Sequence, residues 1–407
     1  MKSEIQHLKK EDVQLINEDF GYKIIQNNGN ELFYVFDKSF KVPKTYINIL
    51  LRYKDPFSFT KHVKTIEEVF IKTYENLLNS YQISVELNVS LYGVNIKIGG
   101  FSSQILEVIK IFMKFYFDNS DNSREEIVKE QVRDDILSSI YLSPYRRTFQ
   151  GLYKSLIENY LYPEEKLKIF ESDSFVFDIF EFKASIDIVG NISLEDSISI
   201  FEIVSGYSSN FDSEKNLNLK QNKLIKLQST DTENNAVGFF YKICSPKDYE
   251  ISAKGKIVLQ LLQERFFNQL RTIEELGYIV ISNSIVVPSN CNNEVYLYFI
   301  VQSEKEPEFL IDRISKFIEE SKGFISTLDD STFELFQESV VDSLKEKPKN
   351  LCDYSEFINQ IFTFGVRELN YKDLLIEKVE NVTLEDLKRF DLFEQDPIVV
   401  VVNKTSK

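Results

Sequence analysis

Two stretches far apart in the chain, FDIFEFKASIDIVGN (177–191) and FDLFEQDPIVVVVN (390–403), share one apolar pattern. Each closes a longer recurring order, and a chain that repeats its element order is built from two similar units. The first cycle opens with strand signals ELFYVFD (31–37) and TYINILLRY (45–53), then a helical pattern from Ser58 to Leu78. A β-rich run, ISVELNVSLYGVNIKIGGF (83–101), follows with Gly93 suited to a turn between two strands; helical periodicity over 103–117 and 124–142 leads to a strand at 184–191. The second cycle has strands at 223–229 and 236–244, a helix from Lys254 to Leu276, strands at 278–287 and 294–303, several helices, and a last strand at 397–403. Helices and antiparallel strands alternate in blocks, which favours an α+β fold over a wholly parallel sheet. The expected architecture is two tandem homologous domains, each a mostly antiparallel sheet packed with helices. They span 1–210 and 223–407, joined by a polar linker at 211–222. NISLED (191–196) and NVTLED (381–386) look like a further repeat but read better as helix starts capped by Ser193 and Thr383.

The length of 407 residues suits two cores, and 43% hydrophobic with 28% charged residues suits a folded chain. The net charge of −16 disfavours nucleic acid, which draws on clustered Lys and Arg. No apolar run reaches the length of a membrane span, and MKSEIQHLKKEDVQ lacks the apolar stretch of a secretory signal. Cys244, Cys291 and Cys352 are few, odd in number and without metal-ligand spacing, so a reducing, cytoplasmic setting is expected.

Recognisable catalytic machinery is missing from the chain read alone. A helical zinc motif needs two histidines four residues apart plus a carboxylate base, whereas His7 and His62 stand far apart and read as solvated surface residues. Neither a phosphate-cradling glycine loop nor a G-x-S-x-G nucleophile elbow occurs.

What stands out is LRTIEELGYIV (270–280). Val258, Leu262, Phe266, Leu270 and Ile273 space out as one apolar helix face, and Gly277 suits a left-handed cap. Arg271 and Tyr278 are separated by almost two helical turns, so both point to one side. The bland alternative pairs Arg271 with Glu274 or Glu275 and buries the Tyr278 ring. The functional alternative converges a guanidinium and a phenol on an oxygen that gains negative charge.

LRTIEELGYIV, with YFIVQSEKEPEFLIDRISKFI (298–318) and EKPKNL (346–351), resembles the insulinase (pitrilysin-like) zinc metallopeptidases, most nearly the insulin-degrading enzyme branch. LFYVFDKSFKVPKTYIN (32–48) looks like the start of the same enzymes' third domain. Those enzymes have four similar α+β domains in two halves that close like a clam shell around a peptide-sized chamber. The resemblance implies that this chain corresponds to the third and fourth domains. Zinc and its glutamate base belong to the first domain, so no cofactor is expected in this chain and zinc is expected in a partner half. By the same resemblance Arg271 and Tyr278 match residues that reach across the chamber to the scissile carbonyl. Departures are Glu275, where glutamine is common, Ile273, where a polar residue is, and a shorter β-rich stretch at 83–101.

The expected function is therefore the non-zinc-binding C-terminal half of a metalloendopeptidase, inactive without a zinc-bearing partner half and acting on peptide substrates. The alternative is an inactive relative that binds peptides or serves as a scaffold. With 34 Phe and 21 Tyr, a half-clam expressed alone should also tend to self-associate.

Overall fold

The computed structural model describes residues 14–16, 21–118, 123–157, 160–172, 178–209, 223–287 and 293–405. The expected linker at 211–222, His7 and Cys291 lie outside the described residues.

The first half of the chain contains β1 (Tyr22–Asn27), β2 (Asn30–Phe36), β3 (Lys44–Arg52), α1 (Thr60–Tyr81), β4 (Ser84–Ser90), β5 (Gly93–Phe101), α2 (Ser102–Asp118), α3 (Glu125–Ile140), α4 (Pro144–Leu156), α5 (Pro163–Glu171), β6 (Lys183–Gly190) and α6 (Leu194–Ser205). The second contains β7 (Leu224–Gln228), β8 (Asn235–Cys244), α7 (Tyr249–Phe267), β9 (Ile279–Val287), β10 (Glu294–Ser303), α8 (Pro307–Ser326), α9 (Asp330–Lys345), α10 (Leu351–Thr363), α11 (Tyr371–Asn381), α12 (Leu384–Lys388) and β11 (Ile398–Asn403).

Two mostly antiparallel sheets result, ordered β1-β2-β6-β3-β5-β4 and β7-β11-β8-β10-β9. The matched stretches of sequence become equivalent strands. β6 lies parallel to β2 and antiparallel to β3, and β11 lies parallel to β7 and antiparallel to β8. The first sheet carries one extra strand, β1, which the apolar pattern does not announce. Its signal is Asn28-Gly29, both at positive φ, a two-residue turn that sets the hairpin register of β1 and β2. Ser193 and Thr383 cap α6 and α12, each accepting a backbone N–H three residues on.

Compact packing divides the chain differently from its linear order. One unit takes the described residues of 1–135, 168–215 and 348–363; the other takes those of 136–167, 216–347 and 364–407. In the first unit α1, α2 and α6 build an apolar core with the sheet around Tyr34, Phe70, Phe112 and Ile186. Its β3 and β6 also carry α10, a helix from late in the chain. There the buried Asp187 carboxylate accepts Asn48 Nδ2 at 2.6 Å and Asn359 Nδ2 at 2.7 Å, and Phe362 packs on Phe33 with ring centroids 5.4 Å apart. In the second unit Val258, Leu262 and Phe266 of α7 pack with Phe299, Phe317 and Val401. A separate cluster joins Leu152 and Leu156 of α4, an early helix, to Phe240, Ile300 and Val400. Gly151 makes that approach close, since a Cβ there would lie 2.4 Å from Val400 Cγ1.

His62 corrects the expectation of a solvated histidine. It sits on α1 with its ring edge-on to the buried Tyr116, centroids 4.9 Å apart, and burial pushes its pKa down to about 4.

Candidate functional site

Val258, Leu262, Phe266 and Leu270 are buried as the spacing predicts, but Ile273 is 70% exposed. The α-helix stops at Phe267, and Asn268–Ile273 form a π-helical turn. Its hydrogen bonds skip one more residue than an α-helix allows: Glu274 N–H donates to the Gln269 carbonyl at 3.0 Å. One extra residue per turn rotates the following positions, which carries Ile273 off the apolar face and returns Leu276 to it.

The helix end also differs from the expected glycine cap. Glu275 takes the left-handed conformation, φ 50°, and Gly277 does not. Gly277 is needed for a different reason. A Cβ on it would lie 2.1 Å from the Gln302 carbonyl oxygen, so only glycine lets the chain enter β9 this close to β10. Leu276 N–H closes the turn onto the Leu270 carbonyl at 2.9 Å, and the Leu276 carbonyl accepts the Ser303 hydroxyl.

Glu274 anchors this turn. Its carboxylate accepts Arg313 Nε at 2.6 Å, Arg313 Nη2 on the other oxygen, and Gln269 Nε2 at 2.7 Å. The forked hydrogen bonds from Arg313 hold its pKa below the usual carboxylate range. Glu274 is thereby committed elsewhere, and among the described residues Arg271 makes no ion pair with it or with Glu275.

The Arg271 guanidinium instead lies over the Tyr278 ring at 4.7 Å and over the Phe267 ring at 4.9 Å. Such stacking contributes roughly 0.5–1 kcal/mol at an exposed site. Tyr278 is 79% exposed, so its ring is not a buried strand-starting aromatic. The guanidinium meets the ring face rather than the hydroxyl. Stacking occupies the faces of the guanidinium and leaves its in-plane N–H groups able to donate. The sequence-predicted pair is thus together, with Tyr278 exposed and Arg271 half-buried. Sequence reasoning offered Glu274 only as a partner for Arg271 and missed its pairing with Arg313, which positions the turn, because the two meet only in three dimensions. A pocket of about 340 Å³ borders the same turn through Asn268, Gln269 and Ile273.

Zinc, implied by resemblance, finds no fit in these residues. Among the described residues no three His, Cys, Asp or Glu side chains are grouped to hold a metal. His62 packs against an aromatic core instead of facing other ligands.

Residues 4–169 match the middle or third domain of the M16 peptidases, and residues 257–358 match domain 4 of the C-terminal lobe of PqqF-like PQQ synthases. The A-factor-processing enzyme of Saccharomyces cerevisiae and the insulin-degrading enzyme of Homo sapiens are each 22% identical to this chain, over 90% and 89% of it. The chain spans only 38% of the length of either relative. The crystal structure of pitrilysin superposes on 96% of this chain and 44% of its own with a TM-score of 0.79 at 17% identity. A Pseudomonas fluorescens structure titled as a peptidase M16 inactive domain matches over 95% of this chain and 99% of its own, with a TM-score of 0.70 at 12% identity.

These similarities and the doubled α+β architecture define an M16-type peptidase fold. The chain belongs to the insulinase (M16) peptidase family and corresponds to its C-terminal half. Among the described residues no helix is long and apolar enough to cross a membrane.

Proposed function

We propose that this chain is the zinc-free half of an insulinase-type metalloendopeptidase, closing a peptide-sized chamber against a homologous zinc-bearing N-terminal half. In this reading Arg271 and Tyr278 reach the scissile carbonyl of a peptide and donate hydrogen bonds to the oxyanion that forms there. The observation that carries it is the half-buried Arg271, whose guanidinium lies over the ring of the exposed Tyr278, with the carboxylate that could have neutralised it already bound to Arg313. Zinc in the partner half supplies the Lewis acid. The two residues of this chain orient the carbonyl and balance its developing charge. A reducing, cytoplasmic setting, resting on the scattered cysteines, is part of the same reading.

The test reconstitutes this chain with its zinc-bearing half and measures cleavage of a short peptide. Tyr278→Phe should lower turnover by about 10²–10³-fold, the cost of removing one such donor. Its exposed ring predicts an unchanged melting temperature. Unaltered turnover would defeat the assigned role. The second reading, a peptide-binding or scaffold relative without catalysis, is favoured by one relative's description as an inactive domain that matches nearly the whole of this chain. Co-purification separates the two: a zinc-containing partner supports the peptidase half, and a stable solitary chain supports the scaffold.

A further inference from the structure

We infer that the pocket between α7, the π turn, α8 and α9 binds a small zwitterion with an apolar side chain, a free amino acid, and thereby stiffens the turn that carries Arg271. The binding stands on the pocket alone and goes beyond the peptidase reading.

The pocket has an apolar floor and a charged rim. Buried Leu261 and Phe317 form the floor, with half-buried Phe336 beside them; exposed Glu264, Arg265 and Glu320 form the rim. Leu261, Glu264 and Arg265 stand at the spacing of one helix face, so α7 presents all three together. Gln260 Nε2 donates to Ser339 Oγ at 3.1 Å and ties α7 to α9, so packed helices rather than a loop set the walls.

Opposite charges line this pocket without neutralising one another. Among the described residues Arg265 makes no ion pair. Its guanidinium lies over the Phe324 ring, 3.8 Å from the centroid, which leaves its in-plane N–H groups able to donate. Glu264 makes no ion pair among them either, and it accepts a long hydrogen bond from Asn268 Nδ2 at 3.4 Å. Glu320 stands 3.6 Å from Arg313 Nη2, beyond good hydrogen-bond length. A lone cation or a lone anion would leave one sign unanswered. An amino acid answers both, with its carboxylate on Arg265, its ammonium on Glu264 and Glu320, and its side chain on Leu261, Phe317 and Phe336. The volume of about 340 Å³ is at the small end for ligand sites, which run to roughly 1,000 Å³, and suits a molecule of that size.

The same pocket reaches the turn. Gln269 and Ile273 also line it, Gln269 Nε2 holds Glu274 at 2.7 Å, and Glu320 approaches Arg313. A bound ligand therefore touches groups on both sides of the Glu274–Arg313 anchor. Amino acids are also what complete peptide hydrolysis releases, so on the peptidase reading the pocket reports product to Arg271.

Isothermal titration calorimetry of the full chain with leucine tests the site. Leucinamide lacks the carboxylate, N-acetylleucine lacks the ammonium and glycine lacks the side chain, so each should bind about tenfold more weakly or worse. The variants must match the ligands. Arg265→Met should bind leucine and leucinamide alike, and the double variant Glu264→Gln/Glu320→Gln should bind leucine and N-acetylleucine alike. All three residues are exposed, so the melting temperature should hold. In leucine at about ten times its Kd, hydrogen exchange at the Glu274 and Leu276 amides, which close the π turn, should slow by about tenfold. Tyr278→Phe should leave the titration unchanged, so failure of the oxyanion role and failure of this inference are read separately. A leucine Kd above about 10 mM, equal binding of leucinamide or N-acetylleucine by the unaltered chain, or unaltered exchange at the two amides would overturn the inference.

Discussion

Glu274→Ala removes a carboxylate that touches no proposed substrate, yet it should unsettle the turn that carries Arg271. Arg313 is 9% exposed and its Nη1 makes no hydrogen bond, so it depends on Glu274 for its two short contacts. Breaking a fully buried pair costs about 3–5 kcal/mol. Here Glu274 retains some solvent contact, and Glu320 stands 3.6 Å from Arg313 Nη2 as a residual partner. Those two features reduce the expected loss to about 2–3 kcal/mol. A double-mutant cycle with Arg313→Met, followed by urea denaturation, should give a coupling of about 2 kcal/mol. The pH dependence has a fixed sign. Arg313 depresses the folded-state pKa of Glu274, so the stabilisation is complete above the ordinary carboxylate range and is lost as pH falls through the depressed value. Wild type and variant should therefore converge in acid. Coupling below about 0.5 kcal/mol, or a stability gap that persists in acid, would refute the anchoring role of Glu274.

Gly277→Ala should destabilise by about 1–3 kcal/mol and slow the reconstituted enzyme, because the new methyl meets the Gln302 carbonyl. Gly323→Ala on α8, where a Cβ meets nothing within 4 Å, should be neutral or stabilising by up to about 1 kcal/mol; calorimetry compares the two. His62 has a folded pKa pushed well below its ordinary 6.5, so its stabilisation is present above that value and is lost as pH falls toward about 4. Between pH 6.5 and 5 that amounts to about 2 kcal/mol, and denaturation of His62→Phe should lack this component.

Much of the fold is legible in the sequence because burial imposes period. IVVVV in β11 and the nearly continuous apolar runs of β8 and β10 announce strands, and the match of 177–191 with 390–403 announces their equivalent places. β1 escapes because most of it is exposed and no apolar face marks it; only Asn28-Gly29 betrays the hairpin. The proximity of Arg271 to Tyr278 follows from spacing, but the route does not. A π turn and a left-handed Glu275 bring them together, held by an Arg313 partner 39 residues beyond Glu274. Likewise, the apolar side of α4 says that it must be covered without saying by which sheet.

The helices α4 and α10 give the chain an order of assembly. The first unit includes residues up to 363, so it lacks a helix until α10 has been made, after the strands of the second sheet up to β10. The second draws on α4, made long before its own sheet exists. Cutting the backbone between the two halves would yield fragments that each hold a part the other is missing, and neither should mature without the other present.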